Sequence, residues 1–129
     1  MTMDMRDMAA SLAALDEDAR RTMLRSRLEA FAAMAEEERR QGMLQMLQAI
    51  HTLSDEDHRR LVASRTWALA QLPHETRVSL IRTHLAALGE LPEGSRQREM
   101  AAMQAGLEAL PGDVRQEVVA SMQAAQARG

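Results

Sequence analysis

The residues best equipped for chemistry recur at a fixed interval. Arg20, Arg39, His58, Arg77, Arg96 and Arg115 stand nineteen residues apart, a column of cations interrupted once by histidine. Two chemistries fit such a column. Guanidinium groups form forked, charge-assisted bonds with carboxylates and phosphates, so the column can act as an anion-binding ladder. Alternatively, each side chain lays its aliphatic stem on an apolar core and donates to a carbonyl or carboxylate of an adjoining segment. We take the structural role as the primary reading.

Other reactive constellations are sparse. Met1, Met3, Met5 and Met8 resemble clustered thioethers that select Cu(I), although Met5 and Met8 also occupy core positions of the pattern described below, which favours packing. His51, His58, His74 and His84 include no pair at the i, i+4 spacing of a helical zinc site and no HExxH motif. His51 and Asp55 straddle an expected helix break, and His84 falls on a core position. The acid runs at 16–18, 36–38 and 55–57 read as first-turn charges that suit a helix dipole. Cysteine and lysine are both absent, which removes disulfides, thiolate chemistry and lysine Schiff bases, and there is no phosphate-binding loop or serine elbow. The expectation is a non-enzymatic protein with no assigned cofactor, metal or catalytic residue.

The elements that carry these residues come from one repeat. Leu15, Met34, Leu53, Leu72, Leu91 and Leu110 begin six copies of nineteen residues that align without an insertion. Counting the start residue as position one, position ten holds Leu24, Met43, Val62, Ile81, Met100 and Val119. Position sixteen is always small, from Ala30 to Gly106 and Ala125, and position seventeen is apolar until Gln126. Residues 1–14 form a truncated copy with Met5, Met8 and Leu12 on its apolar face. Apolar places three or four residues apart define one helix face per copy.

A single continuous helix is excluded by geometry. Nineteen residues at about 100° each rotate the apolar stripe by roughly 100° per copy, which would scatter it around the surface. The chain must therefore break once per copy. Leu72-Pro73, Leu91-Pro92 and Leu110-Pro111 mark three breaks; Asp16 and Ser54 are N-cap candidates at the equivalent place, and Asp113 with Gln116 has capping-box spacing. Gly89 is expected to close its helix in the left-handed conformation. Links of about three to five residues make successive helices antiparallel.

The predicted fold is all-α: one domain over residues 1–129, containing six to seven short antiparallel helices, solenoid-like or an open bundle. Two copies make a 38-residue hairpin unit, between the periods of tetratricopeptide and HEAT or armadillo repeats, but neither the tetratricopeptide aromatic pattern nor ankyrin TPLHxA is present. Odd and even copies show no difference in pattern, whereas later copies exchange branched apolar residues for Ala, Met and Gln, which predicts weaker packing at the C-terminus.

The formal charge of −3 argues against non-specific nucleic-acid binding, and no segment has the length and apolarity of a membrane span or secretory signal, so a cytoplasmic location is expected. Trp67 stands at position fifteen, nearly opposite the apolar stripe, and is the candidate interface residue. The expected function is a scaffold or adaptor that binds a protein partner or itself. The alternative is a small-ligand, anion or metal-responsive module using the arginine column or the N-terminal methionines.

Overall fold

The computed structural model describes residues 4–128, which form α1 (Met5–Ala14), α2 (Glu17–Ala32), α3 (Glu36–Ile50), α4 (Asp55–Ala70), α5 (His74–Leu88), α6 (Glu93–Glu108) and α7 (Gly112–Arg128). One helix arises from each copy, and the truncated first copy gives the short α1. Links between helices are two to four residues long, slightly tighter than the sequence spacing implies.

The helix starts follow their local chemistry. Asp16 Oδ1 accepts from the Ala19 amide at 2.9 Å, and Ser54 Oγ accepts from the Asp57 amide at 3.2 Å. Pro73 and Pro92 occupy N-cap positions with extended ψ and have no amide hydrogen to leave unpaired. Two expectations need correction. α7 begins at Gly112, immediately after Pro111, so Asp113 lies inside the first turn and is not the cap of a capping box. Gly89 has φ −63° and is right-handed; no positive φ occurs among the described residues. The helix tails instead tighten through i to i−3 bonds, as in Glu90 N to Ala87 O and Leu91 N to Leu88 O, and this turn needs no left-handed residue.

The strongest packing runs between helices two apart: α1 on α3, α3 on α5 and α5 on α7 in one row, α2 on α4 and α4 on α6 in the other. Within a row, an early position of one helix meets a later position of the next. Arg20 (position six) meets Ser64 (position twelve), and Thr66 (position fourteen) meets Gly106 (position sixteen). An offset of constant sign means that helices within a row run parallel, so successive helices run antiparallel. Both rows use the same positions, which is why the sequence shows no alternation between copies.

Each helix therefore has a face toward its successor and a face toward its predecessor. Position ten looks forward: Leu24, Met43, Val62 and Ile81 are buried, whereas Met100, with no successor helix, is 58% exposed. Position sixteen looks back: Ala49, Ala68, Ala87, Gly106 and Ala125 are buried, and only Ala30, on the helix without a predecessor, is exposed. The small residue there allows close approach, since a Cβ on Gly106 would lie 2.9 Å from Thr66 Oγ1. A continuous core of Leu12, Leu24, Leu47, Ile50, Leu61 and Val62 fills the space between the rows.

Candidate functional site

The arginine column is turned inward and engaged by the fold. Each early arginine serves two neighbours. Toward the preceding helix it donates to the carbonyls freed at that helix's C-terminus: Arg20 to Leu15 O at 2.6 Å, Arg39 to Phe31 O and Met34 O at 3.0 Å, Arg115 to Leu107 O and Leu110 O at 3.0 Å, and Arg77 to Leu72 O. A cation in a first turn opposes its own helix dipole, but here the same charge sits at the negative end of the previous helix. Toward the row successor it donates to a hydroxyl at position twelve. Arg20 Nε reaches Ser64 Oγ at 2.8 Å, Arg39 Nη1 reaches Thr83 Oγ1 at 3.3 Å, and Arg77 Nε reaches Ser121 Oγ at 2.8 Å. Arg20 is 3% exposed and Arg77 is 7% exposed. Arg96, which has no helix beyond it, is half-buried and forms no such bond.

The contact between the third and fifth copies departs from this rule in three places at once. His58 replaces the arginine, Ala102 replaces the hydroxyl two copies later, and Glu99 appears at position nine, where Leu61, Leu80 and Val118 are buried apolar residues. The α3 carbonyls that an arginine at 58 would serve are taken by Arg98, which donates from α6 to His51 O at 3.0 Å and Leu53 O at 2.7 Å, with Asp55 as its acid partner.

Glu99 is fully buried and surrounded by cationic and imidazole groups. Its Oε1 accepts from Arg65 and, at 3.3 Å, from His84 Nε2; its Oε2 accepts from His58 Nε2 at 3.1 Å and lies 4.0 Å from His51 Nε2. Burial alone would raise the Glu99 carboxyl, but the Arg65 guanidinium and the bonds from His58 and His84 outweigh it and hold the group well below the usual carboxylate range. Burial pushes His84 down, with Arg65 adding to that effect and Glu99 opposing it. Burial likewise lowers His51, against the attraction of Glu99.

His51 is the anomaly of this cluster. Its ring stacks on His58 with centroids 5.0 Å apart and 29° between planes, yet neither of its buried ring nitrogens has a hydrogen-bond partner. One ligand atom each from His51, His58 and Glu99 lies within 4.8 Å of the others, which groups three metal-ligating side chains in one place. The cluster joins α3, α4 and α6, so no local motif encodes it. Its sequence signal was the single acid in an otherwise apolar position-nine column, paired with the loss of arginine at 58.

The other sequence candidates sit elsewhere. Trp67 is half-buried and packs against the cluster formed by Leu107, Leu110 and Val118, while Arg21 places its guanidinium carbon 4.5 Å from the ring centroid. Because Trp67 is the sole tryptophan, its emission reports this contact directly. Arg21→Ala is expected to shift the emission to the red and raise acrylamide quenching; an unchanged spectrum would mean that the cation does not cover the ring. Met5 and Met8 are half-buried along α1, and Met1 and Met3 lie outside the described residues. Between the rows is an apolar cavity of about 70 Å³ bordered by Phe31, Met43, Leu80 and Met103, with Arg65 and His84 as its only ionisable wall. It is well below the roughly 150 Å³ that admits benzene, so it reads as a packing void. No helix among the described residues is long and apolar enough to cross a membrane. Comparison with protein-family models, curated proteins and solved structures yields no match to this chain.

Proposed function

We propose that this chain is a non-enzymatic helical-repeat scaffold, and that its two open ends join copies of it end to end. One observation carries the reading: the ends hold the two halves of the bond that recurs inside. Arg115 repeats the Arg39 arrangement, with Nε and Nη2 donating to carbonyls of the preceding helix tail and link. Arg39 Nη1 then reaches the hydroxyl of Thr83, whereas Arg115 Nη1 has no partner among the described residues, none of which packs on α7 as its row successor. At the opposite end, Ser26 is a position-twelve hydroxyl, exposed on α2, that receives no arginine. Met100, 58% exposed at one end, and Met23, 49% exposed at the other, are apolar positions left without a neighbouring helix.

Continuing the zigzag places α1 of a second copy beyond α6 and α2 beyond α7. Asp7, at position twelve of the truncated copy, then faces Arg96, and Ser26 faces Arg115. The absence of a pattern difference between copies permits this exchange of rows. Such a contact is heterologous and does not close on itself, so it extends into linear assemblies.

Sedimentation over a range of concentrations tests the reading. The wild type is expected to grow in mass with concentration. Val119→Glu blocks the forward end and Met23→Glu the backward end. Each variant alone should remain monomeric, and an equal mixture should form a heterodimer, because each keeps the end that the other lacks. A wild type that stays monomeric at all concentrations overturns the reading. A Met23→Glu variant that still self-associates points instead to an isologous contact.

A further inference from the structure

We propose that His51, His58 and Glu99 form a binding site for a divalent first-row transition ion of the zinc type. The site is built from three separated elements: the C-terminal end of α3, the first turn of α4 and the middle of α6. Ligand nitrogens and oxygens about 2.0 to 2.1 Å from a tetrahedral ion stand roughly 3.3 Å from one another. The 3.1 Å from His58 Nε2 to Glu99 Oε2 and the 4.0 Å from His51 Nε2 to the same oxygen bracket that separation. All three ligand atoms lie within 4.8 Å of one another, so closing on an ion needs side-chain adjustments of up to about 1.5 Å, within the reach of χ rotations of His51 and His58.

Three further features point to an ion. First, both ring nitrogens of His51 are buried and unpaired, a state that folded proteins normally avoid and that a ligand bond would relieve at one of the two. Second, Glu99 is oriented from behind: Arg65 and His84 hold Oε1 and leave Oε2 facing the two imidazoles. Third, the contact of α4 with α6 replaces arginine, hydroxyl and apolar residue together by His58, Ala102 and Glu99, and two of the three newcomers are metal-ligating types.

The donor set selects the metal class. Two imidazoles and one carboxylate suit zinc, cobalt, nickel or iron in the divalent state, whereas calcium and magnesium require more oxygen ligands and Cu(I) prefers sulfur. Charge balance adds a constraint. Glu99 is already paired with Arg65, so a divalent ion leaves a net positive centre, which favours an anionic fourth ligand such as hydroxide or chloride.

The test uses the full chain stripped with a chelator and then titrated with Co²⁺ and Zn²⁺. One ion per chain is expected, with the visible absorption of low-coordinate cobalt, displacement of cobalt by zinc, and a melting temperature that rises with metal concentration. His51→Ala is the decisive variant because His51 makes no hydrogen bond through its ring, so its loss should leave the fold intact. It should weaken binding at least tenfold, while His74→Ala, outside the cluster, should leave it unchanged. Wild-type chain that takes up no zinc overturns the proposal, as does full binding retained by His51→Ala, which would assign the ion to a surface site. Neither result bears on end-to-end association, which uses other residues.

Discussion

Replacing Glu99 by alanine should lower unfolding stability by about 3 to 5 kcal/mol, a large part of the roughly 5 to 15 kcal/mol that a domain has in total. The reason is asymmetry. Taking a carboxylate out of water is costly, and at Glu99 that cost is offset by Arg65, His58 and His84. Removing the carboxylate leaves the guanidinium of Arg65, only 12% exposed, without its acid partner. Urea unfolding measures the effect, and a loss under about 1 kcal/mol would mean that Arg65 rearranges to solvent.

The same interface offers an internal control. The triple change His58→Arg, Glu99→Leu and Ala102→Ser rewrites the contact in the pattern of α2 on α4 and α5 on α7, where arginine meets a hydroxyl beside a buried apolar residue. It should recover much of the stability lost in Glu99→Ala. Recovery has a defined obstacle, since Arg98 already occupies the carbonyls of His51 and Leu53 that an arginine at 58 would seek. Adding Arg98→Ala should then raise stability in the triple background and lower it in the wild type. If the rewritten interface remains as unstable as Glu99→Ala, the repeated contacts are not interchangeable.

Arg77→Ala should cost about 2 to 4 kcal/mol, combining charge-assisted bonds of roughly 1.5 to 3 kcal/mol with the packing lost along the stem. Arg77 joins the link before α5, through Leu72 O, to the middle of α7, through Ser121 Oγ, and therefore ties two helices of one row together. Arg77→Met preserves the stem and should recover the packing share alone. Arg96→Ala belongs in the same series as a comparison, because the Arg96 side chain makes no hydrogen bond or ion pair among the described residues and its removal should change stability by less than about 0.5 kcal/mol. Denaturant midpoints below the concentrations at which copies associate provide the measurement. Unchanged stability in Arg77→Ala, together with lost binding of an acidic ligand, would return the column to an anion-binding role.

Much of the fold was legible because it rests on local physics. A nineteen-residue apolar period cannot stay on one face of a continuous helix, so breaks were required, and Ser54 and Asp16 mark two helix starts with their own side chains. The corrections also have local causes. Gly89 needs no left-handed turn because the tail closes through i to i−3 bonds, and Asp113 lost the cap position to Pro111, which needs no capping partner for its own nitrogen.

The cluster at Glu99 was not legible, because its members come from three helices and only position nine, not the position-ten stripe that dominated the sequence pattern, places an acid among buried residues. The pairing of rows was equally hidden. Identical copies do not reveal whether a helix packs on its neighbour in sequence or on the next but one.

The sequence by itself determined an all-helical array, the length of each helix, and the positions that must be apolar, small or cationic, since these follow from periodicity, capping and the geometry of a single helix. Only the tertiary structure decided which hydroxyl each arginine meets, which ends remain uncovered, and that His51, His58 and Glu99 share one buried space. Those outcomes depend on the offset between parallel helices two copies apart, a long-range packing relation that no local pattern encodes.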